Sequence, residues 1–169
     1  MRLFSFLPYL SKISICGLGI ALMFLLGCSK GRDTQILVVG MELSYPPFEM
    51  TDENNQPTGI SVEMAQALAN RLGKTLRIEN IPFAGLIPAL KTGKIDLIIS
   101  SMSRTEERAQ SISFSNSYVH TGLCILVSKN GDSHSIKDID QPGAKVAVKQ
   151  GTTGHIYANA NLKNAEILL

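Results

Sequence analysis

Residues 75–109 read TLRIENIPFAGLIPALKTGKIDLIISSMSRTEERA, and this stretch decides the fold class. Thr75 to Ile81 has the composition of a strand, and Leu86 to Leu90 is the apolar part of a short helix. Ile95 to Ile99 is again strand-like, of the type covered on both faces. Thr105 to Ala109 reads as one or two helical turns, with Thr105 as a possible N-cap and Glu106 and Glu107 favouring the positive helix end. Strand, helix, strand, helix in alternation implies an α/β fold with a mainly parallel sheet. Ligands bind such folds beyond the carboxyl ends of the strands, so the loops after those strands carry the chemistry.

The same pattern extends outward. Upstream, Ile36-Leu37-Val38-Val39 is an apolar strand, and Tyr45-Pro46-Pro47-Phe48 must turn or extend, because paired prolines fix φ and remove two donors. Asp52 to Gln56 is a polar turn. Ile60 to Leu72 places apolar residues at 60, 64, 65, 68 and 72 on one helical face, with Gly73 as C-cap. Downstream, Leu123 to Val127 predicts a strand, Asn130 to Ser135 a polar loop, Val146 to Val148 a strand and Thr153 to Leu162 a helix. Leu169 falls on the start of one more strand.

The first 28 residues differ from the rest. Arg2 and Lys12 precede Ile13 to Leu26, an uncharged run short for a bilayer span but typical of a signal-peptide apolar region. It ends in Leu25-Leu26-Gly27-Cys28, which resembles the lipobox of bacterial lipoproteins, with Cys28 as the lipidated thiol. The alternative is an uncleaved N-terminal membrane anchor. Either reading puts the domain at a membrane surface outside the cytoplasm, with residues 29–35 as a polar tether.

Charge excludes several partners. The 16 basic residues include Arg2 and Lys12, so the chain from Cys28 onward carries 14 basic against 14 acidic residues. A near-neutral chain without a basic stripe has no feature that attracts nucleic acid. Cys16 lies in the leader and Cys124 stands alone in an apolar stretch, expected to be a small buried hydrophobe. No disulfide framework, zinc spacing or cofactor motif is present. His120, His134 and His155 match no nucleophile or metal spacing, and neither a Gly-x-Ser-x-Gly elbow nor His-Glu-x-x-His occurs. The nearest thing to a catalytic pair is Glu42 with Arg108.

Binding chemistry is better represented. Ser100-Ser101-Met102-Ser103 follows a strand, and Arg108 comes shortly after. Hydroxyls and backbone N–H groups backed by a guanidinium fork form a carboxylate receptor; the plainer alternative is an exposed Arg108 paired with Glu106 or Glu107. Gln150-Gly151-Thr152-Thr153-Gly154 opens a helix and could supply donors to an anion, or be an ordinary turn with a Thr N-cap. Tyr45 and Phe83 sit at strand-end loops, where aromatic faces can flank an aliphatic stem. Phe48 is assigned to the core.

These segments together resemble the bacterial extracellular solute-binding proteins that serve polar amino-acid ABC importers. The resemblance rests on Tyr45-Pro46-Pro47-Phe48-Glu49, Gly59 to Ala65, Phe83 to Leu90, Ile95 to Ser103 running into Thr105-Glu106-Glu107-Arg108, Phe114-Ser115, and Gln150-Gly151-Thr152-Thr153, in that order. It implies two α/β lobes closing around the ligand, here residues 36–119 as a nearly complete first lobe and residues 120–169 as part of a second. It implies that Arg108 grips the α-carboxylate with Ser103 and Thr153, and that the Ser101 carbonyl receives the α-ammonium. Tyr45 and Phe83 would flank the side chain, and Glu42 and Lys149 would meet its polar end. Glu42 stands where the family usually has Asp, and Ser61 where its helix usually has Asp, the latter a structural change. Relatives continue past Leu169, so the resemblance implies a truncated, split or partial chain. The expected ligand is glutamine or a basic amino acid, and the expected partner a membrane permease. The alternatives are an enzyme on the same fold, of the cyclohexadienyl dehydratase type, or the ligand-binding domain of a sensor.

If Cys28 carries the lipid, Cys28→Ala abolishes fatty-acid labelling of the expressed protein and leaves the leader uncleaved. Labelling that persists in the variant excludes this anchor.

Overall fold

The computed structural model divides into a unit of residues 1–33 and a unit of residues 34–169, and the described residues are 34–169 apart from Asp132. The leader, Cys28 and most of the tether therefore lie outside the described residues. Among the described residues no helix is long and apolar enough to cross a membrane.

The central element is β1, Ile36–Met41, an unbroken apolar run buried almost throughout. It pairs in parallel with β5, Thr75–Asn80, on one side and with β6, Leu97–Ile98, on the other, giving the order β5-β1-β6. The ladder to β6 is short, but Asp96 N–H donates to the Val38 carbonyl (2.8 Å) and Ile99 N–H to the Gly40 carbonyl (3.2 Å). The strand pattern read over 95–99 is thus present as backbone bonds on either side of the formal strand.

Because β1 is covered on both faces, its alternate residues feed two cores. Leu37, Val39 and Met41 pack with Ala65 and Ala69 of helix α1, Ile60–Arg71, and with Ile99. Val38 faces the other way, toward Ile81, Ile95, and Leu86 and Ala89 of helix α2, Phe83–Lys91. Leu86 and Ile95 are among the most completely buried side chains.

Helix α1 departs from the sequence reading. The expected face ran through Ile60, Met64, Ala65, Leu68 and Leu72, yet the buried positions are Ser61, Ala65 and Ala69. Ile60, Met64 and Leu72 are exposed. Ala65 and Ala69 pack against β1 with Val62 and Leu68 partly buried beside them, so the expected face holds at Ala65 and Leu68 and fails at Ile60, Met64 and Leu72. The interface is chosen by fit, not by hydropathy alone.

Three short antiparallel strands sit before α1: β2 (Ser44–Tyr45), β3 (Glu49–Thr51) and β4 (Pro57–Thr58). The expected turn over 52–56 joins β3 to β4, with the Asp52 carboxylate accepting from the N–H groups of Asn54 (2.8 Å) and Gln56 (2.7 Å). The second half holds α3 (Glu106–Ala109), α4 (Ile136–Ile139), β7 (Lys145–Ala147), α5 (Thr153–Asn161) and β8 (Glu166–Leu168), the last pairing in parallel with β7. Helix α4 was not anticipated; Ser135 and Asp138 close a capping box at its start.

Two expectations fail here. Leu123 to Val127 forms no ladder among the described residues, and Leu126 is 97% exposed. An apolar, β-prone run becomes a strand only where a neighbour accepts its backbone bonds, and none of the described strands does so. Cys124 lies within that run and is exposed, not buried.

Gly59 fixes the entry to α1. It has φ +114°, and a Cβ there would strike the Phe48 carbonyl and approach the Pro47 carbonyl oxygen to 2.8 Å. Gly59→Ala is expected to destabilise the protein by about 2–4 kcal/mol, combining backbone strain with a backbone clash. Urea unfolding of the two proteins measures this; a change below about 0.5 kcal/mol would show that this turn relaxes freely.

Candidate functional site

The carboxyl ends of β1, β5 and β6 converge. Glu42 N–H donates to Ser100 Oγ (2.9 Å), joining the loops after β1 and β6. Leu43 N–H donates to Asn80 Oδ1 (3.1 Å), joining the loop after β1 to the end of β5. Side chains from three separated segments are thereby fixed on one rim, as the strand-end argument requires.

Arg108 is the principal group of this rim. Its side chain is 7% exposed, although α3 is only four residues long. Thr105 caps that helix, its hydroxyl accepting from Arg108 N–H (3.2 Å), which turns the Arg108 side chain inward. Nη1 donates to the Ser103 carbonyl (2.7 Å), Nη2 donates to the Gly151 carbonyl (2.8 Å), and the guanidinium lies 5.4 Å from the Phe83 ring centroid. The exposed-arginine alternative is thus excluded, since it is Arg104 that pairs with Glu106, at 3.0 Å. Arg108 makes no ion pair among the described residues. Burial lowers its pKa, opposed by the nearby charge of Glu107, yet guanidinium keeps its proton at physiological pH. A buried cation bonded only to carbonyls and resting on an aromatic face is poised for an anion.

Gly151 reaches this rim from the second half of the chain. Its φ is +77°, and a Cβ would lie 3.2 Å from the Ala84 Cβ at the start of α2. Glycine adopts that turn without strain and leaves its carbonyl 2.8 Å from Arg108 Nη2. The N-cap of α5 is Thr152, whose hydroxyl accepts from His155 N–H (3.2 Å). The ordinary-turn alternative therefore holds for Thr152, while Thr153 is the first residue of the helix and half-buried.

The charged pair on the rim is Glu42 with Lys149, not Glu42 with Arg108. Lys149 Nζ lies 2.5 Å from Glu42 Oε2 and donates to Ser44 Oγ at 2.9 Å. Tyr45 is exposed on β2 and stacks against Phe48, centroids 6.0 Å apart. Phe48, assigned to the core, is half-buried. Ser103 is exposed, and it is its carbonyl that meets Arg108. Ser101 has φ +49° and donates its hydroxyl to Glu49 Oε2 at 3.1 Å.

Glu49 is the residue that sequence reasoning passed over. It is 1% exposed and also accepts from Ser61 Oγ at 2.6 Å. Burial raises its pKa, and the two hydroxyls oppose the rise. The available signal was an acidic residue closing Tyr-Pro-Pro-Phe-Glu, directly beside an aromatic core candidate.

The family model described as bacterial extracellular solute-binding proteins, family 3, matches residues 37–165. An L-arginine-binding protein of Pseudomonas aeruginosa is 38% identical over 129 residues, covering 76% of this chain and 49% of that protein. A probable histidine-binding protein of Campylobacter jejuni is 37% identical, covering 82% of this chain and 53% of its own length. Among solved structures, an ancestral amino acid-binding protein described as a precursor of cyclohexadienyl dehydratase superposes with TM-score 0.75 at 41% identity, over 79% of this chain and 60% of that one. The chain spans about half the length of the curated relatives it matches.

Proposed function

The chain belongs to the bacterial extracellular solute-binding proteins of family 3, and from that premise we propose that it captures a polar amino acid for an ABC importer. The observation that carries the reading is Arg108, a buried guanidinium bonded to carbonyls from both halves of the chain. A fork in that position takes an α-carboxylate through its remaining N–H groups. Phe83 and Tyr45 supply flanking apolar surface, and Ser101, Ser103 and Thr153 supply polar groups around it. Binding shifts an open-closed equilibrium that a membrane permease senses, and no bond is broken. The ancestral neighbour is itself described as an amino acid-binding protein, which supports binding over the dehydratase alternative. The leader and Cys28 would hold the protein on the outer side of a membrane by a lipid.

The Glu42–Lys149 pair bears on selectivity. Alone, Glu42 would attract a cationic side chain. With the Lys149 ammonium already on it, a second cation is opposed and a neutral amide is favoured. We therefore assign glutamine as the preferred class of ligand, although the relatives named above bind arginine and, by description, histidine.

Titration calorimetry with L-glutamine tests the carboxylate receptor. Arg108→Ala should weaken binding by about tenfold to a hundredfold, the equivalent of one charge-assisted pair, and Arg108→Lys, which keeps the charge and loses the fork, should fall between. Unchanged affinity in Arg108→Ala would return this residue to a purely structural role. Lys149→Ala should move the ratio of L-arginine to L-glutamine affinity toward arginine by about twofold to fivefold, the scale of a partly exposed ion pair. A ratio that stays put would remove Lys149 from selectivity.

A further inference from the structure

Two costly features meet at one hydrogen bond behind the rim. The first is Glu49, a carboxyl that is 1% exposed at the start of β3. It makes no ion pair among the described residues and is held by two hydroxyls on a single oxygen, Ser61 at 2.6 Å and Ser101 at 3.1 Å. Were packing the only task, a neutral side chain would meet it at lower cost. The second is Ser101, whose φ of +49° is a left-handed conformation that residues other than glycine, asparagine and aspartate seldom hold. Ser101 lies just beyond β6, and its neighbour Ser100 bonds the backbone of Glu42. Among the described residues, the Ser101 carbonyl and N–H have no protein partner. Strain at a strand end, fixed from behind by a buried group, is the form that preorganisation of a binding site takes.

We infer that Glu49 is a positioning residue of the ligand site: its carboxylate holds the Ser101 hydroxyl, fixes the left-handed backbone there, and places negative charge behind the point where a ligand's ammonium would dock. The inference rests on the amino-acid reading above and deepens it by naming a source of negative charge for the ammonium. The groups whose charge reaches Glu49 are Glu42, which opposes its ionisation, and Lys149, which favours it; Tyr118 in turn has its pKa raised by burial and by the Glu49 charge.

The two roles have opposite signs in stability and in binding. Burial raises the folded-state pKa of Glu49, so the folded chain holds that proton more tightly than the unfolded chain. The stabilisation is therefore complete below the unfolded pKa and is lost as pH rises through the folded one. At neutral pH an ionised Glu49 weakens the fold. Glu49→Gln keeps an oxygen for both hydroxyls and removes the charge. It should melt higher than the native chain at pH 7, with the difference closing as pH falls below the carboxylate range. The same variant should bind L-glutamine about tenfold more weakly at pH 7. Native affinity should drop as Glu49 is protonated, while that of Glu49→Gln stays flatter, since Glu42, Lys149 and Tyr118 are common to both proteins. At the strained position, Ser101→Gly should bind several-fold more tightly than Ser101→Ala; both lack the hydroxyl, but only glycine adopts the backbone freely.

These measurements, melting curves from pH 4 to 8 and calorimetry with L-glutamine on the full chain, decide the matter. A Glu49→Gln variant that is less stable at pH 7 overturns the inference whatever the ligand does. So does a stabilised variant with unchanged affinity, or equal behaviour of Ser101→Ala and Ser101→Gly. If the native chain binds neither L-glutamine nor L-arginine, the amino-acid reading fails separately. The pH-dependent melting difference, and the order of Ser101→Gly above Ser101→Ala in stability, then decide whether Glu49 holds this backbone.

Discussion

The site depends on the bond between a buried guanidinium and two carbonyls from distant parts of the chain. Arg108 reaches Ser103, five residues away, and Gly151, 43 residues away. Each bond is modest taken singly, but hydrogen bonds to a charged donor are about twice as strong as neutral ones, and burial raises what is lost when they break. Everything that shapes the neighbourhood serves this contact. Thr105 aims the side chain, Phe83 supplies the face it rests on, and Gly151 leaves room for Ala84. The guanidinium is thus both a structural rivet and a buried positive group at the rim.

Much of this was legible in the sequence, because it rests on local composition. The β1 run is apolar without interruption, β5 alternates Leu76 and Ile78 with polar residues, and β6 lies in an apolar run broken only by Asp96; the strand-end rule then puts Glu42, Phe83 and Ser100 to Ser103 in adjacent loops. Residue type and spacing leave Arg108 open between a carboxylate receptor and an exposed ion pair, and it is the family resemblance that gives it the receptor role. What escaped reading depended on partners remote in sequence. Whether Ile60 or Ser61 faced the sheet was settled by how closely a helix can approach β1. The strand expected at Leu123 to Val127 needed a neighbour that the described residues do not provide, and Cys124 is exposed with it. Glu49 could not be placed without knowing that Ser61 and Ser101, 12 and 52 residues away, would point their hydroxyls at it.

The rim carries its charges in an order that explains its tolerance for them. Glu42 is mostly covered with a lysine on it, Glu49 is buried with hydroxyls as its hydrogen-bond partners, and Arg108 is bonded to carbonyls. No carboxylate on the rim pairs with Arg108, so the guanidinium is not neutralised from within the protein. A zwitterion brings one charge for each side of this arrangement. An isolated anion or cation would satisfy only one, so under the proposed function electrostatics would favour amino acids over simple carboxylates and amines.

The central place of β1 also sets a clock. Its partner Asp96 is 58 residues downstream of Val38. At a ribosomal rate of about 5–20 residues per second, roughly three to twelve seconds pass between synthesis of the two, far longer than hydrophobic collapse of a short chain. Until Thr75–Asn80 emerges, the most apolar strand of the molecule has both edges unpaired, and its β6 edge stays open to the end of that interval. A nascent chain of this topology is slow to commit to its sheet, because the parallel pairings on both sides of β1 join segments far apart in sequence.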